Sequence, residues 1–359
     1  MGFQAFMISF HYLVKVVGEL ELDVLSKRFK VFAERECKNS SSLYEHLAEN
    51  IANDLDLLTL AAHSRSGQPV PNLLFGVVHY LLLSGVEHEL AMFYPSIAET
   101  PKKSAGAIKF FENFCMQNQN EIVQLLEKKL VQTNEVRRCA YLYPSFCHIY
   151  KITEKPLTLI EIGTSAGLQL LWDKYTYSYK SNQKYGSKPS ILEISSEIKG
   201  GKSPLLFEHS PPVIRRIGLD LHINNLNEDE DYLWLKALIW PEHKERNSYF
   251  EKAAHCLKSQ RIELIEGDGV AIIPELAPTV SLDSTLCIFH THVANQLSLD
   301  AKMKLCEQIR CLGKERDVFH LYNNMWDLDL HLDYYVKGNE YSELLAKTDG
   351  HGRWFQWTL

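Results

Sequence analysis

Residues 159–168, LIEIGTSAGL, decide the fold of the larger part of this 359-residue chain. A β-prone run leads into a turn of small residues, and an apolar helical pattern follows. The stretch therefore predicts a strand, a tight turn and the start of a helix. Such a turn can hold a nucleotide-like cofactor, bind a phosphate, present a serine nucleophile or only connect two elements.

Two of these four uses require residues that the turn lacks. A P-loop needs a lysine after its glycines, and none follows Gly163 at that spacing. The dinucleotide fingerprint needs glycines at positions 165 and 168, where Ser165 and Leu168 stand. Gly163, Ser165 and Gly167 do match the G-x-S-x-G pattern of serine hydrolases, although that pattern normally follows several earlier strands. A serine hydrolase therefore stays open as an alternative.

The segments that follow predict a Rossmann-like α/β domain. After Lys155, short β-rich runs alternate with helical patterns, which favours a mostly parallel sheet with helices on both faces. The predicted strands cover residues 157–162, 214–219, 262–265, 285–289 and 318–322, and the predicted helices cover 166–173, 229–239, 241–257 and 297–312. A tyrosine-rich hairpin insertion is expected near 174–212, and an antiparallel C-terminal hairpin over 341–347 and 353–358.

The first 150 residues predict a separate α-helical domain. Ser42 and Glu45 fit a capping box, and apolar residues then recur at helical spacing through residue 58. Further helices are predicted from Pro71 and over residues 107–116, 121–131 and 134–150. No alternating strand pattern precedes Lys155, so the predicted domains are 1–150 and 151–359.

The composition favours a globular protein that binds neither nucleic acid nor membrane. The formal net charge is −7, and the sequence contains no long basic run. The longest nearly apolar run, 73–83, is too short to span a bilayer, and the apolar first residues lack the basic region of a signal peptide. The eight cysteines form no C-x-x-C pair, which favours free thiols in a cytoplasmic protein over a metal site or disulfides.

The pattern that remains at the turn, Glu161-x-Gly163-x-x-x-Gly167, resembles motif I of the S-adenosylmethionine-dependent methyltransferases. Glycines let the backbone approach a cofactor closely, and the N-terminus of a following helix favours its carboxylate. Thr164 and Ser165 would then line the cofactor loop.

Two acids at the ends of the next strands suit the same cofactor. Asp220 ends the second predicted strand and could accept ribose hydroxyls, and Asp268 follows the third and could lie near the adenine. The alternative is that each acid only caps the helix that follows it.

A polar segment, QTNEVRR, begins the predicted helix before the first strand. Because this helix should run antiparallel into the strand, its start should lie beside the glycine turn and line the substrate pocket. The alternative is a helix cap with a Glu135–Arg138 ion pair. The candidate substrate-binding residues in the segment are Gln132, Thr133, Asn134 and Arg138, and Glu135 is a candidate proton acceptor.

His290 and His292 end the fourth predicted strand, where a methyl acceptor would bind. Residues at i and i+2 of a strand share a face, so these histidines could act as a general base, or serve only the structure. Tyr175 and Tyr177 could form an aromatic wall for the substrate or be exposed strand residues. His351, within DGHG, is predicted to be a hairpin-turn residue.

Several segments together resemble an uncharacterised bacterial family, the domain-of-unknown-function family 2332. They extend from residue 40 to the C-terminus and include NLLFGVVHYLLLSG, VQTNEVRRCAYLYP, RIGLDL, WLKALIWPEHKER, FHTHV and DGHGRWFQW. The resemblance implies a helical N-terminal region on a methyltransferase-like domain with no assigned substrate. The sequence thus predicts an S-adenosylmethionine-dependent methyltransferase that acts on a small molecule. A non-catalytic ligand-binding protein on the same fold is the alternative, and the oligomeric state is left open.

Overall fold

The computed structural model describes residues 21–359, so the prediction about the first residues lies outside it. The chain forms two compact units. The first takes the residues up to Thr133 together with Asp229–Asn247, and the second takes Asn134–Glu228 and Ser248–Leu359. This division differs from the predicted boundary at residue 150, because the helix that ends at Thr153 packs with elements of the second unit.

The first unit contains helices and no strand within its described residues. A helix over residues 21–32 continues as the π-helical turn Ala33–Cys37. The α-helices that follow are Ser42–Ile51, Leu55–Ala61, Val70–Leu83, Ala107–Gln117, Gln119–Lys128 and Asp229–Ala237. Among the residues that the structure describes, no helix is both long and apolar enough to cross a bilayer.

The helix Ser42–Ile51 is capped differently from the prediction. Ser41 is the capping residue, and its Oγ accepts a hydrogen bond from the Tyr44 N–H at 3.1 Å. Glu242, which is distant in sequence, accepts the Leu43 N–H at 2.8 Å. Glu242 lies in Asp229–Asn247, which we call the returning segment, so a carboxylate from this distant segment replaces the local Glu45 of the predicted capping box.

The returning segment belongs to the first unit because it packs on the apolar helix Val70–Leu83. His79 of that helix is fully buried, and its Nδ1 lies 2.8 Å from the carbonyl oxygen of Ala237. Its Nε2 lies 2.7 Å from Ser96 Oγ. Burial lowers the pKa of His79 to about 4, so this histidine is a neutral core residue.

The second unit combines a large, mostly parallel sheet with helices. Its helices are α1 (Cys139–Thr153), α2 (Lys244–Leu257, which begins in the first unit), α3 (Gly269–Leu276) and α4 (Leu299–Gly313). Its strands are β1 (Leu157–Ile162), β2 (Thr176–Ser178), β3 (Lys184–Gly186), β4 (Glu193–Ser195), β5 (Glu197–Lys199), β6 (Val213–Asp220), β7 (Glu263–Glu266), β8 (Thr285–His290), β9 (Val318–Tyr322), β10 (Leu330–Val336), β11 (Asn339–Thr348) and β12 (Trp354–Trp357).

The large sheet has the strand order β5-β12-β11-β10-β9-β8-β1-β6-β7. The five strands from β9 to β7 are parallel, and their bounds lie within one residue of the predicted strands. The predicted C-terminal hairpin is confirmed by the antiparallel pairing of β11 with β12. β10, which was not predicted, joins this hairpin to β9 in antiparallel fashion.

The order of the parallel strands reverses beside β1. The chain passes from β1 outward to β6 and β7, and then returns to the other side of β1 for β8 and β9. In open sheets of this kind, ligands bind outside the carboxyl ends of the strands at such a reversal. The loops after β1 and β8 flank this position.

The predicted helix over 166–173 is wrong. The turn after β1 leads instead into the 3₁₀ segment Gln169–Lys174. Gly163, Ser165 and Gly167 have left-handed φ angles of 74°, 53° and 78°, and left-handed residues interrupt a right-handed helix. The turn therefore lacks the α-helix N-terminus that was expected to favour a carboxylate.

The predicted insertion is present but is more than a hairpin. β2 pairs with β3 antiparallel and with β4 parallel, which makes a separate three-stranded sheet. β5 leaves this small sheet and pairs in parallel with β12 at the edge of the large one. The insertion is thus anchored to the C-terminal hairpin.

Candidate functional site

The candidate site lies at the carboxyl ends of β1, β6, β8 and β9. Polar side chains from the ends of these strands and the loops after them, from the segment before α1 and from the C-terminal hairpin meet there through hydrogen bonds. We call this group the polar edge; it consists of Asn134, Glu135, Arg138, Glu161, Thr164, Ser165, Gln169, Asp220, Asn224, Thr291, His292, Asn323 and His351.

The glycine turn of the polar edge is closely packed. A Cβ added to Gly163 would lie 2.5 Å from Val293 Cγ2, so only glycine fits there. A Cβ added to Gly218 of β6 would lie 2.6 Å from Thr164 Cγ2. The turn is therefore fixed between β6 and the loop after β8.

Glu161, the acid of the predicted motif, is a buried carboxyl at the end of β1. It is 3% exposed and accepts a hydrogen bond from Thr164 Oγ1 at 2.5 Å. Burial raises the pKa of Glu161 to about 8, against the opposing effects of the Thr164 bond and of Arg138, and the charge of Asp220 adds to the rise. Near pH 7 this carboxyl is mostly protonated, and a cation placed beside it would favour its ionisation.

Asp220 holds the turn from the end of β6. Its Oδ2 accepts the Ser165 N–H at 2.7 Å, and its Oδ1 accepts the His222 N–H at 3.0 Å. Asp268 instead caps α3, because its Oδ1 accepts the Val270 N–H at 2.9 Å. Asp268 therefore caps the helix that follows it, as the alternative prediction stated, whereas Asp220 faces the glycine turn.

The Ser165 hydroxyl is buried between two amides. It accepts hydrogen bonds from Asn134 Nδ2 at 2.8 Å and from Asn224 Nδ2 at 3.0 Å. Neither amide is a base that could take its proton, so these contacts do not activate Ser165 as a nucleophile. The sequence carried no signal for Asn224, because a single asparagine in a polar loop matches no motif.

The segment before α1 lies beside the glycine turn. Asn134 contacts Ser165 as described, and the Glu135 carbonyl accepts a hydrogen bond from Gln169 Nε2 at 3.4 Å. Gln132 and Thr133 belong to the first unit. Substrate binding by this segment stays a prediction.

Arg138 connects the segment before α1 to the C-terminal hairpin. Its Nε donates to the Gly350 carbonyl at 2.9 Å, and its Nη1 donates to Thr291 Oγ1 at 3.4 Å. Thr291 in turn donates to Gln169 Oε1 at 2.9 Å. This buried guanidinium thus links the loop after β8 to the loop that leads into β12.

His290 and His292 do not both lie in the strand, so the prediction of a shared strand face is wrong. β8 ends at His290, and His292 has a left-handed φ of 62° with its N–H donated to Asn323 Oδ1 at 2.9 Å. His290 is fully buried, with its Nε2 3.1 Å from Nε2 of His320 in β9. Burial lowers the pKa of His292 to about 3 and that of His290 well below its usual value. Both are therefore weak bases near pH 7.

One comparison with known proteins places the chain in a family. Residues 26–357 match the family model described as "Uncharacterized protein conserved in bacteria (DUF2332)". The chain belongs to the DUF2332 family. No curated protein and no solved structure matches it.

This DUF2332 protein brings His351, which was interpreted as a turn residue, into the polar edge. His351 Nδ1 lies 3.0 Å from Glu135 Oε2. The Glu135 side chain is 2% exposed, and that of His351 is 43% exposed. The sequence did show a histidine between two glycines, but only the fold brings it to a carboxylate 216 positions away.

Tyr175 and Tyr177 are core residues of the insertion in this DUF2332 protein. Both are 0% exposed, and their hydroxyls donate to the carbonyls of Leu168 at 2.8 Å and Trp172 at 2.5 Å. Tyr177 also stacks on Tyr143 with ring centroids 4.4 Å apart. The exposed-strand alternative does not describe them, because both side chains are buried and both hydroxyls are hydrogen-bonded, and a role as a pocket wall stays a prediction.

Over residues 21–359, no group of three or more His, Cys, Asp or Glu residues could hold a metal ion. A cleft of about 200 Å³ lies at the opposite end of the parallel strands, lined by Lys155, Leu282, Ser284, Thr285, Arg316 and Asp317. The cleft is separate from the polar edge of the DUF2332 protein.

Proposed function

We propose that this DUF2332 protein binds S-adenosylmethionine at the polar edge and transfers the methyl group to a small molecule. The observation that carries the proposal is the bond between the glycine turn and Asp220 at the point where the strand order reverses. The order β7-β6-β1-β8-β9 corresponds to the 3-2-1-4-5 arrangement of doubly wound sheets, which bind nucleotide-like cofactors there. On this proposal the second unit is a Rossmann-like domain of the methyltransferase type.

The polar edge offers partners for the separate parts of the cofactor. Asp220 would accept ribose hydroxyls with its carboxylate oxygens, which also accept the Ser165 and His222 N–H groups. The ammonium group of the methionine portion would lie beside Glu161. The glycine turn would lie close to the rest of the methionine portion. Asp268, which caps α3, stays a predicted neighbour of the adenine. The protein would then act mainly by orienting the acceptor in line with the sulfonium.

A non-catalytic ligand-binding protein is the second candidate, and one observation favours it. Both Asp220 oxygens and the Ser165 hydroxyl already make bonds within the protein, and the turn lacks a following α-helix. Such an arrangement can stabilise the fold without chemistry. A serine hydrolase has no such support, because the amides at Ser165 are not bases.

Calorimetric titration with S-adenosylmethionine and S-adenosylhomocysteine tests the proposal. We expect both to bind wild-type protein, and Asp220→Asn to weaken binding about tenfold or more, which corresponds to at least about 1.4 kcal/mol. Asp283→Asn is the matched control, since Asp283 is exposed at the amino end of β8, and it should bind as wild type does.

Two outcomes would contradict the methyltransferase. Folded wild-type protein that binds neither compound at millimolar concentration rejects the cofactor and the transfer together. Binding without methyl transfer to any acceptor supports the second candidate.

A further inference from the structure

We propose that Glu135 and His351 form a proton-accepting pair that deprotonates a hydroxyl group of the methyl acceptor. His351 Nε2 would take the proton, and Glu135 would orient the imidazole. The nature of the electrophile rests on the proposed function, whereas the pair itself does not.

The contact between the two side chains has the geometry of an oriented base. Glu135 Oε2 lies 3.0 Å from His351 Nδ1, and the glutamate is almost completely buried. In the proposed pair Glu135 is a carboxylate, which can only accept, so the hydrogen is on Nδ1 and the lone pair of the neutral ring is on Nε2. A buried carboxylate fixes the tautomer of the general base in the Ser-His-Asp triad in the same way. The exposed part of the ring leaves His351 open to a ligand.

The chain on both sides of His351 is built to hold it in place. The Gly350 carbonyl accepts the bond from Arg138 Nε. Gly352 has a φ of 69°, and a Cβ added there would lie 2.5 Å from the Arg137 carbonyl oxygen. The turn therefore lies directly on the segment that carries Glu135, and only glycine permits this approach.

Asp349 fixes the same turn from within. Its Oδ2 accepts the His351 N–H at 3.2 Å and the Arg353 Nε–H at 2.8 Å, and its Oδ1 accepts Arg353 Nη2 at 2.7 Å. A simple hairpin connection does not require a salt bridge, a hydrogen-bonded glycine on one side, a closely packed glycine on the other and a buried carboxylate beside its tip. These contacts together orient one imidazole.

The other histidines of this region are poorer bases. His290 is buried against His320, and His292 is largely buried with its Cε1 beside Gly350. Efficient proton transfer near pH 7 requires an accessible group that can carry the proton, and the Glu135 carboxylate would stabilise the imidazolium that forms. The pair is also adjacent to the glycine turn, since Asn134, the neighbour of Glu135, donates to Ser165.

The proposed step is balanced. The acceptor O–H proton moves to His351 Nε2, and the oxygen lone pair forms a bond to the methyl carbon. The bond between that carbon and sulfur breaks, and its electrons remain on sulfur, which leaves S-adenosylhomocysteine. The substrate class is therefore a phenol or alcohol, whose oxygen needs help to lose its proton.

Nitrogen NMR of histidine-labelled protein tests the pair without a substrate. In the neutral form of its ring we expect His351, assigned by the signal lost in His351→Gln, to carry hydrogen on Nδ1 and none on Nε2. Glu135→Gln should abolish this preference. Asp327→Asn is the matched control, because Asp327 pairs with His331 at 2.8 Å and should change that histidine alone. A hydrogen on Nε2 in the wild-type protein, or an unchanged hydrogen position in Glu135→Gln, overturns the pair. If Glu135→Gln does not fold, Glu135→Asp takes its place, because it keeps the charge but lengthens the contact.

Radiolabelled S-adenosylmethionine with a panel of phenol, catechol, tyramine and benzyl alcohol tests the reaction. We expect wild-type protein to methylate at least one of them, and His351→Gln to lower kcat about 10²-fold or more without changing the Kd for the cofactor. Equal kcat in the variant overturns the base. Wild-type protein that binds the cofactor but methylates none of the panel overturns the hydroxyl class, whereas failure to bind the cofactor rejects the proposed function and leaves the NMR result to decide on the pair.

Discussion

At the residue scale, burial decides which side chains of the polar edge carry a charge. Glu161 lies near the end of β1 between β6 and β8, and burial raises its pKa to about 8. His292 is partly enclosed, and its pKa falls to about 3. The sequence identifies these residues as titratable, but their surroundings set their protonation states.

The protonated Glu161 leads to a prediction about cofactor binding. If an ammonium group binds beside it, the carboxyl should ionise, so binding near pH 7 should release up to about one proton and should strengthen as the pH rises from about 6 to 8. Calorimetry in buffers of different ionisation enthalpy measures this proton release.

Glu161→Gln provides the control for that measurement. It keeps the size of the side chain and removes the ionisation, so the buffer dependence should disappear. Proton release of equal size in the variant would show that another group is responsible.

At the element scale, the turn after β1 shows how packing overrides a local pattern. The sequence predicted that a helix would start near residue 166, but three left-handed residues and the contact with Val293 fix a compact turn instead. The strands were predicted well because each is a short, nearly continuous β-rich run, and all six residues of β1 are buried.

Gly163→Ala should destabilise the protein by about 3 kcal/mol. A left-handed alanine costs about 1 kcal/mol, and the clash with the Val293 Cβ, at 2.8 Å, adds the rest because a β-carbon cannot move without the backbone. Chemical unfolding monitored by circular dichroism measures the change.

Gly338→Ala separates the cost of the left-handed φ from the cost of the clash with Val293. Gly338 has a similar φ of 77°, but nothing lies within 4 Å of an added Cβ. This variant should lose only about 1 kcal/mol. Equal losses in both variants would show that the Val293 contact does not constrain the turn.

At the scale of the whole molecule, buried groups in both units determine how stability depends on pH. His79, His292 and His320 have pKa values lowered to about 4, 3 and 3, and that of His290 is lowered well below its usual value. Their contribution to the free energy of unfolding is present above about pH 6.5 and is lost as the pH falls. The raised pKa of Glu161 has the opposite effect, since its contribution is present below about pH 4.5 and is lost as the pH rises toward 8.

Stability should therefore be greatest near pH 6.5. Each group changes the free energy of unfolding by up to about 1.4 kcal/mol per pH unit within its range. Urea midpoints at about pH 5, 6.5 and 8 measure the profile. Glu161→Gln should reduce the loss of stability above pH 6.5, and His79→Gln should reduce part of the loss below it. If both slopes of the profile are unchanged in these variants, other groups are responsible for them.

The sequence determined the strands of the parallel sheet, the helical nature of the first unit and the position of the glycine turn, since each depends on a pattern within a few residues. Only the tertiary structure decided that residues 229–247 return to the helical unit and that β10 extends the sheet. It also decided that Asp220 supports the turn while Asp268 caps a helix. The Glu135–His351 pair depends most on the tertiary structure. Hydrogen bonds between residues far apart in the chain depend on how the elements pack, and no local pattern encodes that packing.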